Sequence, residues 1–220
     1  IIKALKKKAK DTENGKWVIG SGYDDTNLTE KRLLTRSDLD EVSKDHPVFV
    51  NHISGHIGMA NGRALDAAGI DANTPDPEGG VICRDTTTEE PTGVLEETAN
   101  FMVFQMATDL DMDEKLATIK WSVEDYARNG VTTVQSGFTN EELFGGLSAA
   151  SQIGQIPLRI IVWPDSELSQ KIIAGQIEEA AHNTDIFQIG AAKIIGDGSI
   201  QGYTAHLTEP YYVPFKDDRD

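Results

Sequence analysis

Lys193 places a charged side chain inside the apolar segment Ala191-Ala192-Lys193-Ile194-Ile195. An ammonium group inside a predicted buried strand must reach a polar cavity or be chemically altered. Desolvation lowers the pKa of a lysine, which suits such a side chain to a nucleophilic or basic role or to carbamylation by carbon dioxide. The structural alternative is a lysine whose stem packs in the core while its head pairs with Asp197.

Two further candidates lie where predicted strands end. Asp197 follows Lys193 in Gly196-Asp197-Gly198-Ser199, and Trp163 closes an earlier predicted strand. In parallel barrels the residues at the C-terminal ends of strands form the active site, which makes Trp163 and Asp197 candidate substrate-binding residues. An Asp-Gly dipeptide is also typical of an ordinary turn, and this alternative stays open for Asp197.

The five histidines form no local zinc motif, because neither His-x-His nor His-Glu-x-x-His is present. His52 and His56 are four residues apart, but Ser54-Gly55 between them weakens any helical ligand face. Gly55 allows the backbone to approach a ligand closely, so we treat Gly55 and His56 as candidate substrate-binding residues. The residues alone assign no catalytic acid, base or nucleophile.

Composition restricts the function classes. The chain of 220 residues has a net charge of -16 and a pI of about 4.6, which argues against nucleic acid as a partner. One cysteine, Cys83, rules out an intramolecular disulfide and favours a cytoplasmic location. No apolar run approaches the roughly 20 residues of a membrane span, so no membrane association is expected. The chain opens with Ile-Ile-Lys and ends in Lys-Asp-Asp-Arg-Asp, which indicates a piece of something longer.

The elements that position these residues divide the chain near residue 110. Residues 1–110 read as a mixed α+β module rich in turns, with short strands at 17–23, 47–51, 81–84 and 91–95 and helices at 62–68 and 96–106. In residues 111–220 helices (113–129, 141–153, 166–182) alternate with apolar strands (131–134, 158–163, 189–195). This alternation predicts an α/β fold of parallel βα units, either a partial (β/α)₈ barrel or part of a doubly wound sheet.

Motifs in a fixed order along most of the chain resemble the YtcJ-like amidohydrolases of amidohydrolase family 3. They are His46-Pro47-Val48-Phe49-Val50, Gly55-His56, Asn61-Gly62-Arg63-Ala64-Leu65, residues 74–82 and 90–95, Gly130-Val131-Thr132-Thr133-Val134, and residues 193–199. Residues 200–205 resemble the exoenzyme-regulatory-protein-like branch; other branches often have arginine where this chain has Tyr203.

The resemblance implies a metal-dependent TIM-type barrel that hydrolyses C–N bonds of small amide-type substrates with a divalent metal, zinc first. It implies that residues 1–110 are an insertion module and that residues 111–220 carry about strands two to four of the barrel. Lys193 matches the lysine at the end of the fourth barrel strand, which implies a metal-bridging ligand. Gly55-His56 matches an insertion-loop histidine that faces the substrate.

The match is incomplete, because the family's His-x-His pair and its later histidines and aspartate fall outside this chain. A catalytic zinc needs about three protein ligands, so we expect the chain alone to bind no metal tightly and to be inactive. Two alternatives stay open: a regulatory or binding module that has lost catalysis, and a lyase that uses Lys193 as a Schiff base. A truncated barrel would also expose strand edges, which predicts self-association.

Overall fold

The computed structural model describes residues 1–200 and 202–212, with only the backbone of Met112. The chain forms two compact units. Unit 1 comprises Ile1–Asp109 and the described residues from Asp197 onwards, and unit 2 comprises Leu110–Gly196. Each unit has its own sheet, and each is considered by itself.

Among the described residues, unit 1 is built on a mixed five-stranded sheet in the order β1-β2-β3-β5-β4. The strands are β1 (Val18–Tyr23), β2 (Val48–His52), β3 (Ile57–Ala60), β4 (Gly80–Arg84) and β5 (Pro91–Glu97). β1 and β2 run parallel, whereas the other neighbours are antiparallel. The helices are α1 (Ile2–Lys10), α2 (Arg36–Asp40), α3 (Gly62–Ala68) and α4 (Thr98–Ala107), with a 3₁₀ turn at Asp25–Asn27.

The sheet of unit 1 is buried on both faces. Along β2, Val48 and Val50 join one apolar cluster and Phe49 joins the other, as the two-residue period of a strand requires. The first cluster takes side chains from α1 and α2, including Leu5 and Leu39. The second takes side chains from α3 and α4.

For unit 1, the sequence-based predictions missed one strand and misplaced the start of one helix. The short strand β3 was not predicted, because Gly58, Met59 and Ala60 have little intrinsic preference for a strand and pairing with β2 and β5 decides the outcome. Residues 96 and 97 were assigned to a helix, but they complete β5, and α4 begins at Thr98. Pairing of Glu96 with both Ile57 and Val81 holds this end of β5 in the sheet.

In the described part of the chain, unit 2 has a parallel three-stranded sheet of β6 (Thr133–Thr139), β7 (Arg159–Pro164) and β8 (Phe187–Ile189). Its helices are α5 (Met112–Arg128), α6 (Glu141–Gln152), α7 (Ser166–Ile173) and α8 (Glu179–His182). Side-chain oxygens of Asp111, Asn140 and Asp165 cap the first turns of α5, α6 and α7. The alternation of helix and parallel strand confirms the predicted α/β class.

The last predicted helix and strand of unit 2 were too long. Residues 166–182 form two helices rather than one, since the chain turns at Gly175, where φ is +71°. The strand predicted at 189–195 ends at Ile189. Beyond it Ile194 and Ile195 are 78% and 55% exposed, so apolar composition overstated the burial that would sustain a strand there.

No helix in the described ranges has the length and apolar character needed to cross a membrane.

Candidate functional site

Sheet register brings His56 opposite Glu97. Ile57 pairs with Glu96 in the antiparallel ladder of β3 and β5, so His56 and Glu97 form the next pair along. The Glu97 N–H donates to the His56 carbonyl oxygen at 2.8 Å. His56 Nδ1 lies 2.8 Å from Oε2 and 3.0 Å from Oε1 of the Glu97 carboxylate. The two side chains are 27% and 20% exposed, so the pair is half-buried and reachable by a ligand.

This geometry fixes the proton of the His56 imidazole. An ionised carboxylate only accepts hydrogen bonds, so the Nδ1 atom facing it carries the hydrogen. Among the described residues, Nε2 of His56 has no hydrogen-bond partner. The neutral ring therefore presents an acceptor nitrogen that is free to meet a donor from a ligand.

Glu97 reaches His56 from a strained backbone. Its φ of 50° and ψ of -118° match the first central residue of a type II′ turn, a position that glycine dominates. A residue with a Cβ atom held there costs about 1–3 kcal/mol. Such strain persists where surrounding structure enforces it, and here the end of β5 leads directly into α4.

The loop that carries His56 is held by two further polar contacts. Asn100, fully buried at the start of α4, donates from Nδ2 to the Gly55 carbonyl at 2.9 Å. The His56 N–H donates to Ser54 Oγ at 3.2 Å. Gly55 has a φ of +76°, a left-handed conformation that suits glycine in this turn. Gly55 and His56 thus lie in a loop whose backbone is fixed on both sides.

Asp197 and Gly198 lie in a loop of the same unit. A Cβ atom on Gly198 would stand 2.9 Å from Glu97 Oε1 and 2.4 Å from the Thr204 carbonyl oxygen, so the loop backbone runs against the Glu97 carboxylate. Asp197 accepts hydrogen bonds from the backbone N–H groups of His206, at 2.9 and 3.1 Å, and of Gly198, at 2.7 Å. These bonds hold the pKa of Asp197 below its usual range.

Trp163 and Lys193 lie in unit 2. Trp163 is next to last in β7, and its ring covers Gly190, where a Cβ atom would meet Cδ1 and Nε1 at 3.0 and 3.1 Å. The Lys193 N–H donates to the Pro164 carbonyl at 2.7 Å, which places this half-buried lysine past the C-terminal end of β8. Lys193 is therefore a residue that follows a strand, which corrects its predicted place inside one.

Across the described residues, one group of at least three His, Cys, Asp or Glu side chains has ligand atoms close enough for a metal ion. It consists of Asp24, Asp25 and His52, whose ligand atoms lie within 4.8 Å of one another. Carboxylate and imidazole are suitable ligands for several divalent metals. The group is far along the chain from Lys193 and belongs to the other unit.

The ligand atoms of this group already have protein partners. Asp24 accepts from the Thr26 N–H at 2.9 Å and the Thr26 hydroxyl at 2.5 Å, which caps the 3₁₀ turn. These bonds lower the pKa of Asp24. His52 Nε2 lies 3.2 Å from Asp25 Oδ1, and its Nδ1 accepts from the Ser54 N–H at 3.1 Å. The group fits a turn-closing hydrogen-bond network, and Lys193 alone falls short of the ligands that a catalytic zinc needs.

Sequence reasoning missed Glu97 and Asn100. Glu97 was placed in a predicted helix, where it would not have met His56, whereas Asn100 was correctly assigned to the helix but its contact with Gly55 was not foreseen. The signal that finds Glu97 is its register against His56, and this register exists only once β3 is recognised. No sequence pattern predicts the contact of Asn100, because it forms only when α4 packs against the loop that contains Gly55.

Parallel βα repeats with polar groups beyond the strand ends are typical of α/β enzymes. The family model described as "Amidohydrolase family" matches residues 1–218, so the chain belongs to the amidohydrolase family. It is 31% identical over 220 residues to the putative amidohydrolase YtcJ of Bacillus subtilis (strain 168), covering 96% of this chain and 40% of that protein.

Other relatives carry more specific names. The chain is 30% identical over 164 residues to the N-substituted formamide deformylase of Arthrobacter pascens, covering 73% of this chain and 30% of that protein. It is 28% identical over 193 residues to the exoenzymes regulatory protein AepA of Pectobacterium carotovorum subsp. carotovorum, covering 84% and 41%. These matches confirm the resemblance found in the motifs.

The fold is similar to that of a metal-dependent hydrolase from Pyrococcus horikoshii OT3, with a TM-score of 0.64 and 23% identity over 96% of this chain and 40% of that one. A second structure, from Pyrococcus furiosus, gives a TM-score of 0.61 at 23% identity over 96% and 41%. The chain spans 30–41% of the length of these proteins.

Proposed function

We propose that this chain takes part in the metal-dependent hydrolysis of amide-type C–N bonds in small molecules. The observation that carries the proposal is membership of the amidohydrolase family together with likeness to an N-substituted formamide deformylase. When bound, a divalent metal, zinc first, would supply an activated water at neutral pH.

The proposed architecture is a TIM-type (β/α)₈ barrel of which β6, β7 and β8 are about the second to fourth strands. Their parallel order and the helices between them support it. Residues 1–110 are proposed as the insertion module and residues 111–220 as the partial barrel. Lys193 would be a metal ligand, since it follows a barrel strand at the end where active sites form.

The proposed substrate-binding residues are His56, Gly55, Trp163 and Asp197. Nε2 of His56, which has no partner among the described residues, suits hydrogen bonding to a donor on the substrate. Trp163 offers an aromatic surface at a strand end, and the ionised Asp197 is an acceptor. The proposed substrates are small amide-type molecules and not peptides.

We further propose that the 220-residue chain alone is inactive. Support comes from the described residues, whose one group of at least three His, Cys, Asp or Glu ligands is Asp24, Asp25 and His52, in the unit that does not contain Lys193. A metal held by one side chain is bound weakly and exchanges with solvent.

The test compares the chain with the whole protein that carries it, each supplied with zinc and assayed on N-substituted formamides and other simple amides. The whole protein is expected to release amine in a chelator-sensitive reaction, and the chain alone is expected to release none. In the whole protein, Lys193→Ala should reduce turnover by at least about 100-fold, because loss of even a residue that orients a metal ligand costs about 10–100-fold. Lys171→Ala is the matched control, because Lys171 pairs with Glu141 and Glu167 on the surface.

Likeness to a regulatory protein favours a second candidate, a binding or regulatory module. A whole protein that binds zinc and amides without turnover would support this reading and contradict the hydrolase. Borohydride trapping at Lys193 with a carbonyl compound would instead support a Schiff-base lyase.

A further inference from the structure

We propose that Glu97 is the positioning residue of His56, fixing its proton on Nδ1 so that Nε2 is presented to the substrate as a hydrogen-bond acceptor. The proposal rests on the proposed substrate-facing role of His56. Glu97 itself need not touch the substrate, because it acts through the imidazole.

Glu97 holds His56 at both its backbone and its side chain. The Glu97 N–H binds the His56 carbonyl at 2.8 Å, and the Glu97 carboxylate receives Nδ1 at 2.8 and 3.0 Å. The backbone contact alone would satisfy the ladder. The additional carboxylate contact leaves the ring little freedom to turn, because both oxygens lie within hydrogen-bond distance of one nitrogen.

The Nδ1 partner of His56 differs in kind from those that other histidines in the described chain have at Nδ1. Three of them place Nδ1 against a serine hydroxyl at 2.8–2.9 Å: His46 with Ser43, His52 with Ser54, and His182 with Ser148. At His46 and His52 an oxygen that only accepts, the Thr12 carbonyl or the Asp25 carboxylate, lies 3.2 Å from Nε2 and selects the opposite, Nε2–H form. A carboxylate accepts only, so it selects the Nδ1–H form at His56.

The fold maintains this contact at a conformational cost. Glu97 adopts a φ of 50°, which glycine would adopt freely, yet the carboxylate needs a side chain at this position. Gly198 runs so close to Oε1 that a Cβ atom there would stand at 2.9 Å, so this loop backbone limits the space around the carboxylate. The strained backbone of Glu97 and the close approach of Gly198 therefore both help to fix the orientation of the Glu97 carboxylate.

The consequence is chemical. A neutral imidazole with Nδ1–H bound to a carboxylate offers a lone pair on Nε2, which complements an N–H or O–H donor on a ligand. The arrangement therefore favours amide substrates that carry an N–H group over fully substituted amides.

The test reads the tautomer by ¹⁵N NMR of the imidazoles in the 220-residue chain. Spectra are recorded at about pH 9, well above the ordinary histidine pKa of about 6.5. His56→Gln assigns the signal. We expect the Nδ1–H form in the wild type, its retention in Glu97→Gln, which keeps an acceptor, and conversion to mainly Nε2–H in Glu97→Ala and Glu97→Gly.

Controls separate positioning from folding. Glu90→Ala removes an exposed acid that pairs with Arg36, and it should leave the His56 signal unchanged. The signals of His46 and His182 report whether each unit stays folded. Glu97→Gly guards against misfolding, because glycine suits the backbone at this position.

The proposal is overturned if wild-type His56 carries its proton on Nε2, or if the folded Glu97→Ala and Glu97→Gly variants keep the Nδ1–H form. Failure of both variants to fold would assign Glu97 to stability and overturn it as well. Since the readout needs neither metal nor turnover, it is independent of the hydrolase proposal. A whole protein without hydrolase activity would leave the tautomer result standing.

Discussion

Because the backbone at Glu97 is strained, we expect glycine to give a more stable protein than alanine at this position, the reverse of the usual order. Alanine normally stabilises relative to glycine, but a φ of 50° is unfavourable for any residue with a Cβ atom. Glu97→Ala and Glu97→Gly both lose the bond to His56, so their difference isolates the backbone. We expect the glycine variant to be more stable by about 1 kcal/mol in urea unfolding. Equal stabilities, or a more stable alanine variant, would show that the backbone is unstrained.

Asp38 predicts how unit 1 responds to acid. Hydrogen bonds from Arg32, at 2.6 and 2.8 Å, and then from the backbone and hydroxyl of Thr35 lower its pKa from 3.8 to about 2. The folded chain therefore holds fewer protons than the unfolded chain between these values. The stabilisation is present above pH 3.8 and is lost as the pH falls towards about 2.

The measurement is urea unfolding of wild type and Asp38→Asn from neutral pH down to about pH 2. Because Arg32 is half exposed, the contribution is expected to be about 1 kcal/mol or less. Asp38→Asn should be less stable near neutrality and should lose less stability in acid than the wild type. Parallel curves for the two proteins would exclude the Arg32 contact as a source of stability.

At single positions, the sequence indicates which residues are chemically unusual but not which residues meet. Gly55, His56, Trp163, Lys193 and Asp197 were predicted as candidates from residue type, sequence neighbours and the family resemblance. Glu97 was not, because its contact with His56, 41 residues earlier in the chain, depends on the register of β3 against β5. A local sequence pattern does not specify such a long-range pairing. The tautomer of His56 depends on that same register.

Glycine in β5 shows how one element is constrained by its neighbours. Gly93 has a φ of +90°, and a Cβ atom there would stand 2.4 Å from the Ala60 carbonyl and 2.7 Å from the Arg36 N. Both are backbone atoms of packed elements and cannot move aside. Gly93→Ala is therefore expected to cost at least about 3 kcal/mol in unfolding free energy.

Gly69 provides the matched control in the same unit. It ends α3 with a φ of +68°, but nothing lies within 4 Å of its Cβ position. Gly69→Ala should cost only the conformational penalty, about 1 kcal/mol. Similar losses in the two variants would contradict the close approach at β5.

The exposed edges of the outer strands of unit 2 lead us to expect that copies of the chain associate with one another. β6 and β8 flank β7, so within the described residues each has one edge with no strand partner. Phe138 on β6 is also 53% exposed. We expect the chain to self-associate at micromolar concentrations by light scattering, and Gln135→Lys on β6 to shift it towards monomer by charging this edge. A clean monomer in both proteins would contradict the prediction.

Elements were predictable where local pattern and tertiary environment agree. The starts of α5, α6 and α7 follow their capping residues, and β7 follows its apolar run. The pattern failed at β3, where pairing overrides weak propensity, and at 190–195, where an apolar run is largely exposed. Both failures lie next to candidate site residues, His56 and Lys193. Mismatches between local structural preference and the observed structure are expected near functional sites.

For the molecule as a whole, the prediction that discriminates best is zinc binding. Lys193 is the one proposed ligand in unit 2, and Asp24, Asp25 and His52 already bond within their turn in unit 1. Zinc would have to displace those bonds or rely on a single lysine. Calorimetric titration of the 220-residue chain should therefore show no stoichiometric binding at sub-micromolar affinity.

Variants decide between the two sources if tight binding does appear. Loss of that binding in His52→Ala would place the metal in the turn network and show that it is a real site. Loss in Lys193→Ala would place the metal beyond β8 and contradict the proposal that this lysine needs ligands from elsewhere. We expect the 220-residue chain to bind zinc only weakly and the whole protein to bind it tightly. We expect the tight binding to disappear in the Lys193→Ala variant of the whole protein. The reason is that about three ligands hold a catalytic zinc jointly, and each contributes only in the presence of the others.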